Sequence, residues 1–235
     1  VSPEERRARE AAAGILDAEA RALGEARAEL VTVASAHEVT RRDTEAKAKE
    51  KRDRAADAAA LALLLLFRSK RPESRRIGLE TAGDELRRLH IREASVWQNL
   101  AARLGSIRST VASAEAQLGE AARGYRRQFE RTAERLSAVK AEGVVSRTVE
   151  ALDYRVERIA HGEVWGEAMD EVGAIQRSVG VLDGFFWREW SAVLDRRTCS
   201  VCADMDGKRI PAWERFNPEC PAHGFCRCMT FLVRE

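Results

Sequence analysis

The chain has 235 residues, of which 45% are hydrophobic, 33% charged and 6% aromatic, and its 40 Lys and Arg against 38 Asp and Glu leave a net charge of +2. So close a balance provides no global field toward nucleic acid or an anionic membrane, and the length allows one or two domains. Only five Pro and 15 Gly amid abundant Ala, Arg, Glu and Leu exclude a collagen, an all-β sandwich or a disulfide scaffold and favour long helices, whose straight side chains lose little rotamer freedom. Val1 in place of Met leads us to expect a trimmed or processed chain. The longest apolar run, Ala58 to Phe67, is ten residues, half of the roughly 20 that a membrane-spanning helix needs. No basic segment leads into an apolar one at the N-terminus, so a reducing cytoplasm is the expected compartment.

In chain order, Ser2-Pro3-Glu4-Glu5 reads as a helix start, with Ser at the N-cap, Pro at the first position and Glu at the third. Leu16, Ala20, Leu23, Ala26, Leu30, Val33 and His37 then recur at steps of three or four, close to a heptad seam. Residues 41–54 are nearly all charged or Ala and form a solvated helix or bridge. The seam resumes at Ala58, Leu61 and Leu65 and is expected to break at Lys70 to Glu73, around Pro72. One straight helix over 3–70 would be about 100 Å long; a hairpin folded at the charged stretch is equally allowed. A second helical block beginning near Ser74 carries Leu104, Ile107, Val111, Ala114, Leu118, Ala121, Tyr125, Phe129, Ala133 and Leu136, and is expected to pair antiparallel with the first. It ends near Gly143, and Gly162, Gly166, Gly173 and Gly180 are expected to interrupt the helices that follow.

At Gly184 the composition changes. Phe185, Phe186, Trp187 and Trp190 cluster, and all five Cys follow. Trp187 to Leu194 alternates as a strand, Asp206-Gly207 is a hairpin turn signal, and Arg227 to Val233 reads as a closing strand. The organisation expected is therefore residues 1–73, one long helix or helical hairpin; 74–183, a helical domain; and 184–235, a small β-rich module. The fold class is mainly α, with antiparallel or coiled-coil-like helices.

The module carries the chemistry. Cys199 and Cys202 form a CxxC, and about 20 residues later His223 and Cys226 repeat that spacing, with Cys228 two residues on. Two ligands separated by two residues point into one turn, and a second such pair can complete a tetrahedron around Zn²⁺. So short a unit has little core of its own, and a metal would supply folding free energy. The preferred ligands are Cys199, Cys202, His223 and Cys226; Cys228 is the chief substitute and Cys220 a spare thiol. Reduced buried thiols or disulfides are the alternative. A redox-active CxxC is disfavoured, because no βαβ pattern surrounds it.

The run Trp190-x3-Leu194-Asp195 through Cys228 resembles the C-terminal signature of the phage Mu F-like head-morphogenesis proteins, minor capsid proteins of tailed phages. Asp195, Arg197, Thr198, Cys199, Cys202, Asp206, Gly207, His223, Cys226, Arg227 and Cys228 match in order. Gly224 stands where the family usually has Pro, and Cys220 is additional. The resemblance covers about the last 50 residues. It implies a structural virion protein inside the head at the portal vertex, present in the host cytoplasm during assembly and acting in head assembly and DNA packaging or ejection. Its implied partners are the portal protein and other head proteins; packaged double-stranded DNA is a further candidate, on the arginine pairs named below, and no membrane is expected.

Other signals are weak. His37 with Glu38 and His161 with Glu163 read as solvated surface pairs. There is no GxSxG, Walker loop, GxGxxG after a strand or HExxH, so no catalytic residue is assigned and no enzyme is expected. The aromatic cluster reads as an anchor between module and helices rather than a base-stacking platform. Arg75-Arg76, Arg87-Arg88 and Arg126-Arg127 could reach DNA phosphates, or simply pair with Glu along solvated faces. A nucleic-acid-binding zinc module on a helical stalk is thus the competing function.

Overall fold

The structure, a computed structural model, describes residues 3–107, 112–138, 142–182 and 184–234. Its elements are α1 (Pro3–His37), α2 (Glu45–Arg88), α3 (Ala94–Ser106), α4 (Ala112–Ser137), α5 (Val144–Ala151), α6 (Asp153–Leu182), β1 (Phe186–Ser191), α7 (Ser200–Met205), β2 (Arg209–Pro211) and β3 (Met229–Arg234). The fold is mainly α with a small antiparallel sheet near the C-terminus, as the sequence leads one to expect. Ser2, the expected N-cap, and Val111 of the expected seam lie outside the described residues. The chain divides into two compact units of discontinuous sequence, residues 1–19, 71–110 and 161–235 in one and 20–70 and 111–160 in the other.

In the unit formed by 20–70 and 111–160, the hairpin alternative holds. Residues 38–44 turn the chain between α1 and α2, with the Asp43 carboxylate accepting from Thr40 N (2.8 Å) and from Lys51 Nζ (2.7 Å). The Lys51 ammonium beside it, helped by the Thr40 amide, holds the Asp43 carboxyl down at about 2. Lys70 pairs with Glu25 at 2.6 Å, which fixes the two helices antiparallel. The buried stripes match the expected ones only in part: Ala26 and Leu30 of the expected α1 seam are buried, but with Ala22 and Ala34, and on α2 Ala55, Ala59, Leu63 and Phe67 are buried, while Ala20, Leu61 and Leu65 are exposed. Alanine lets helix backbones approach closely, so small residues share the buried stripes with Leu30, Leu63 and Phe67. On α4 the expected stripe is largely correct, with Leu118, Tyr125, Phe129 and Ala133 buried. Glu38 is no solvated partner of His37. Its carboxylate accepts from Val145 N (3.1 Å) and Ser146 N (3.0 Å), capping the first turn of α5 from a distant part of the chain.

In the other unit, the break expected at Pro72 is absent. The helix α2 runs through it to Arg88, although an interior Pro forfeits a hydrogen bond and costs about 3 kcal/mol. Packing on both sides offsets the loss: Arg71 and Ser74 are buried beside it, and Leu79, Ala82 and Leu86 continue the face. Leu16, assigned to the α1 seam, is 42% exposed, and Ala12, Ile15 and Ala18 are buried instead. The glycines of α6 do not interrupt it either. At Gly180 a Cβ would lie 2.4 Å from Trp213 N, so the missing side chain admits another backbone. The same holds where α2 crosses α6: a Cβ on Gly78 would lie 2.2 Å from Ala168 O. Beside that crossing Arg71 pairs with Glu163 (2.5 Å) and Glu167 (2.9 Å), and Glu171 bridges Arg75 and Arg103 at 2.6 Å each.

The sheet has the order β2-β1-β3, with Trp187 opposite Pro211 on one side and Val233 on the other. Phe186, Arg188 and Trp190 point inward along β1. Arg188, 1% exposed, is fully engaged: it donates to Gln176 Oε1 (3.2 Å), Glu214 O (2.9 Å) and Glu219 Oε1 (2.6 Å). An open strand edge invites pairing with other chains. On β3 that edge is occupied by helix side chains, because Leu232 N donates to Glu85 Oε1 (2.6 Å) and Gln176 Nε2 donates to Thr230 O (2.7 Å). On the opposite side β2 is three residues long and ends in Pro211, which cannot extend a ladder.

Candidate metal centre

The first ligand pair is built by the turn that leaves β1. Thr198 Oγ1 accepts from Asp195 N (2.8 Å) and donates to Val193 O, while Asp195 Oδ1 accepts from Arg197 N (2.8 Å). This places Cys199 in extended backbone at the N-cap of α7, with its Sγ accepting from Cys202 N at 3.3 Å. Cys202 lies one turn into the helix and is buried. Asp206 then accepts from Ala192 N (2.7 Å), and Gly207, at φ +73, donates its N–H to Trp190 O (2.8 Å). Asp206-Gly207 is thus a turn, as expected, but it leads from α7 into β2 rather than joining two strands directly, because α7 lies inside the β1–β2 connection.

The second pair sits on a turn closed by Cys226 N donating to His223 O at 3.0 Å. His223 Nδ1–H donates to Gly224 O at 2.8 Å, so in the neutral ring the lone pair is on Nε2. That nitrogen lies 3.0 Å from Cys199 Sγ and 3.1 Å from Cys202 Sγ. A backbone carbonyl that fixes the tautomer in this way is the usual support of a metal-binding imidazole. Cys202 Sγ is in turn 3.7 Å from Cys226 Sγ. Arg227, between Cys226 and Cys228, donates to both oxygens of Asp195 at 2.7 and 2.8 Å, tying the second turn to the first. The Arg227 guanidinium holds the Asp195 carboxyl down at about 2.

The structure therefore brings together all five expected site residues, in two overlapping groups: Cys199, Cys202 and His223, and Cys202, Cys226 and Cys228, each with its donor atoms within 4.8 Å of one another. Cys220 stands outside both groups, buried, with its Sγ donating to Cys228 O at 2.8 Å. All five cysteines are free thiols. Their proton affinities diverge. The Cys202 amide lowers the Cys199 thiol, and the Cys220 and Cys228 thiols hold Cys226 well below the ordinary value. Burial pushes Cys202 up to about 12 and Cys220 well upward, and the neighbouring Cys226 raises Cys228. Crowded thiols do not all ionise side by side, and a bound cation is what would stabilise several thiolates at once. This C-terminal Cys/His cluster could hold a metal ion.

Sequence reasoning places the ligand candidates but not what supports them. The matched residues Asp195, Thr198, Asp206 and Arg227 carry no role until their hydrogen bonds are seen. His161 is not the solvated partner of Glu163 that the sequence suggests: it is 2% exposed and lies against the second ligand pair, while Glu163 pairs with Arg71. The aromatic cluster is mostly an anchor, as expected. Phe186 and Trp190 are buried, Trp190 meeting Phe216 edge-on at 5.4 Å, and only Phe185 is largely exposed. Of the arginine pairs, Arg75, Arg76, Arg87, Arg88 and Arg126 all lie against carboxylates of the same chain. No helix among the described residues is long and apolar enough to cross a membrane. No family model matches the sequence, and neither a curated protein nor a solved structure matches it.

Proposed function

We propose that the cluster is a structural zinc site with Cys199, Cys202, His223 and Cys226 as ligands and Cys228 as the alternative fourth. Zn–S and Zn–N bonds of about 2.3 and 2.0 Å put tetrahedral ligand atoms roughly 3.5–3.8 Å apart. The 3.7 Å between the Cys202 and Cys226 sulfurs fits that edge, and the 3.0 and 3.1 Å approaches of His223 Nε2 need only a small outward shift. All four positions being filled from the chain suits a structural rather than a catalytic zinc.

On this basis we read the chain as an architectural protein of a tailed-phage head, of the Mu F-like kind, placed inside the head at the portal and acting in assembly and in DNA packaging or ejection. The observation that carries the reading is the ordered motif from Asp195 to Cys228. Its support is that the non-ligand residues of the motif have jobs at one centre: Asp195 joins Arg227, and Asp206 with Gly207 closes the hairpin that carries Cys202. The arginines give the DNA-binding alternative little support, since most of those named are engaged with carboxylates. The test is to mix the purified chain with portal protein and, separately, with double-stranded DNA over a salt series. Stoichiometric capture by portal protein is expected; steeply salt-dependent retention on DNA with no portal binding would favour the alternative.

A further inference from the structure

Two α6 side chains reach the backbone of the second ligand pair. His161 and Trp165 are four residues apart and so share one face of the helix. They are 2% and 0% exposed, with rings stacked at 5.6 Å and 12°. His161 Nε2 lies 2.9 Å from Cys226 O, and Trp165 Nε1–H donates to Cys228 O at 3.2 Å. A carbonyl can only accept, so His161 carries a proton on Nε2. Its Nδ1 faces Glu19 Oε2 at 2.9 Å, a hydrogen bond when a proton lies between them, and Phe225 packs on the ring at 5.8 Å. The carbonyls of Cys226 and Cys228 are thus both held from α6, on either side of Arg227, which is itself tied to Asp195.

We propose that His161 and Trp165 are positioning residues of the metal centre: by holding these two carbonyls they fix the backbone that aims Cys226 at the shared site, and so set metal affinity. The proposal rests on the reading of the Cys/His cluster as a zinc site. Two peptide oxygens gripped by buried donors leave the turn carrying Cys226 little freedom, and Cys226 Sγ sits 3.7 Å from Cys202 Sγ as a result. Outer-shell partners of metal ligands are typically worth 10- to 100-fold in metal affinity. A core histidine with a purely structural role would change stability when replaced, but not the ligand field or the affinity of the folded protein.

The test uses the whole 235-residue chain, Co²⁺ as spectroscopic probe and Zn²⁺ competition against a chelator for affinity, with far-ultraviolet circular dichroism to check that the helices are intact. His161→Ala is expected to weaken Zn²⁺ binding about 10- to 100-fold and to alter the thiolate-to-cobalt bands. His161→Gln, whose amide can still donate to Cys226 O, is expected to recover most of the affinity. Trp165→Phe, which keeps the ring and loses the donor, is expected to show a smaller loss. If His161→Ala does not fold, His161→Gln and Trp165→Phe decide: a Trp165→Phe variant with wild-type affinity and cobalt spectrum would overturn the proposal, as would a folded His161→Ala with both unchanged. Stoichiometric binding by the wild-type chain with unchanged variants sinks this inference alone. No binding by the wild-type chain sinks the metal reading, and this inference with it.

Discussion

The helical hairpin of residues 20–70 and the segment from 184 onward are held by different forces. In the hairpin, rows of Ala, Leu and Phe are buried along two long helices, with ion pairs such as Lys70 with Glu25 at the margin. In the C-terminal segment Phe186, Ala212 and Leu232 join Leu79, Leu86, Ile175 and Val179 in one apolar cluster, and Trp190 and Phe216 pack beside a fully engaged Arg188, but around the ligand candidates the interior is thiols and hydrogen-bonded turns. Burial accumulates with length, so a long helix can be stable through many small contributions. The turns that carry the Cys and His side chains have little such reserve of their own, and on the metal reading proposed above a bound ion would crosslink them.

The largest effect should follow from breaking that crosslink. Cys202→Ser removes the donor common to both groups and, if the proposed zinc is bound, would forfeit a large part of the roughly 10 kcal/mol or more that a structural zinc contributes. The segment after residue 184 should become protease-sensitive while the helical circular dichroism is kept. Loss of helix and tail together would mean that the contrast between the two regions is wrong.

The reverse cut comes from Gly78→Ala. Its Cβ would meet the Ala168 carbonyl at 2.2 Å, and forcing α2 from α6 should cost about 1–3 kcal/mol. Denaturant unfolding is expected to show a lower midpoint, with Zn²⁺ stoichiometry unchanged; a neutral effect would show that the helices do not approach so closely.

A smaller effect is expected from Glu85, the carboxylate that occupies the edge of β3. Burial pushes its carboxyl up to about 7, above the roughly 4.3 of an unfolded glutamate. The folded state therefore binds the extra proton between those values, and this group's stabilisation, complete below about pH 4.3, is lost as the pH rises through about 7. Glu85→Gln should flatten that part of the stability profile. An unchanged slope would place the titration elsewhere.

The donor set is legible in the sequence because its geometry is local: ligands two residues apart share a turn wherever the turn lies. The helices are legible as helices but not in their facing. Ala is apolar enough for either side, so a pattern drawn through Leu16, Ala20, Leu61 and Leu65 misses the alanine rows that are buried. Pro72 and the α6 glycines mislead for a related reason, since local preference yields to packing when both flanks are buried. His161 and Glu38 have no local signal at all. Their partners lie 65 and 107 or more residues away, and only the fold brings them together.

The most direct measurement of the central claim is the metal content of the purified chain by elemental mass spectrometry, with free thiols counted on the same sample under non-reducing conditions. The expected result is about one zinc per chain, lost on chelation together with the protease resistance of the segment after residue 184 while the helices persist. No metal, five free thiols and a tail as resistant as the helices would contradict it.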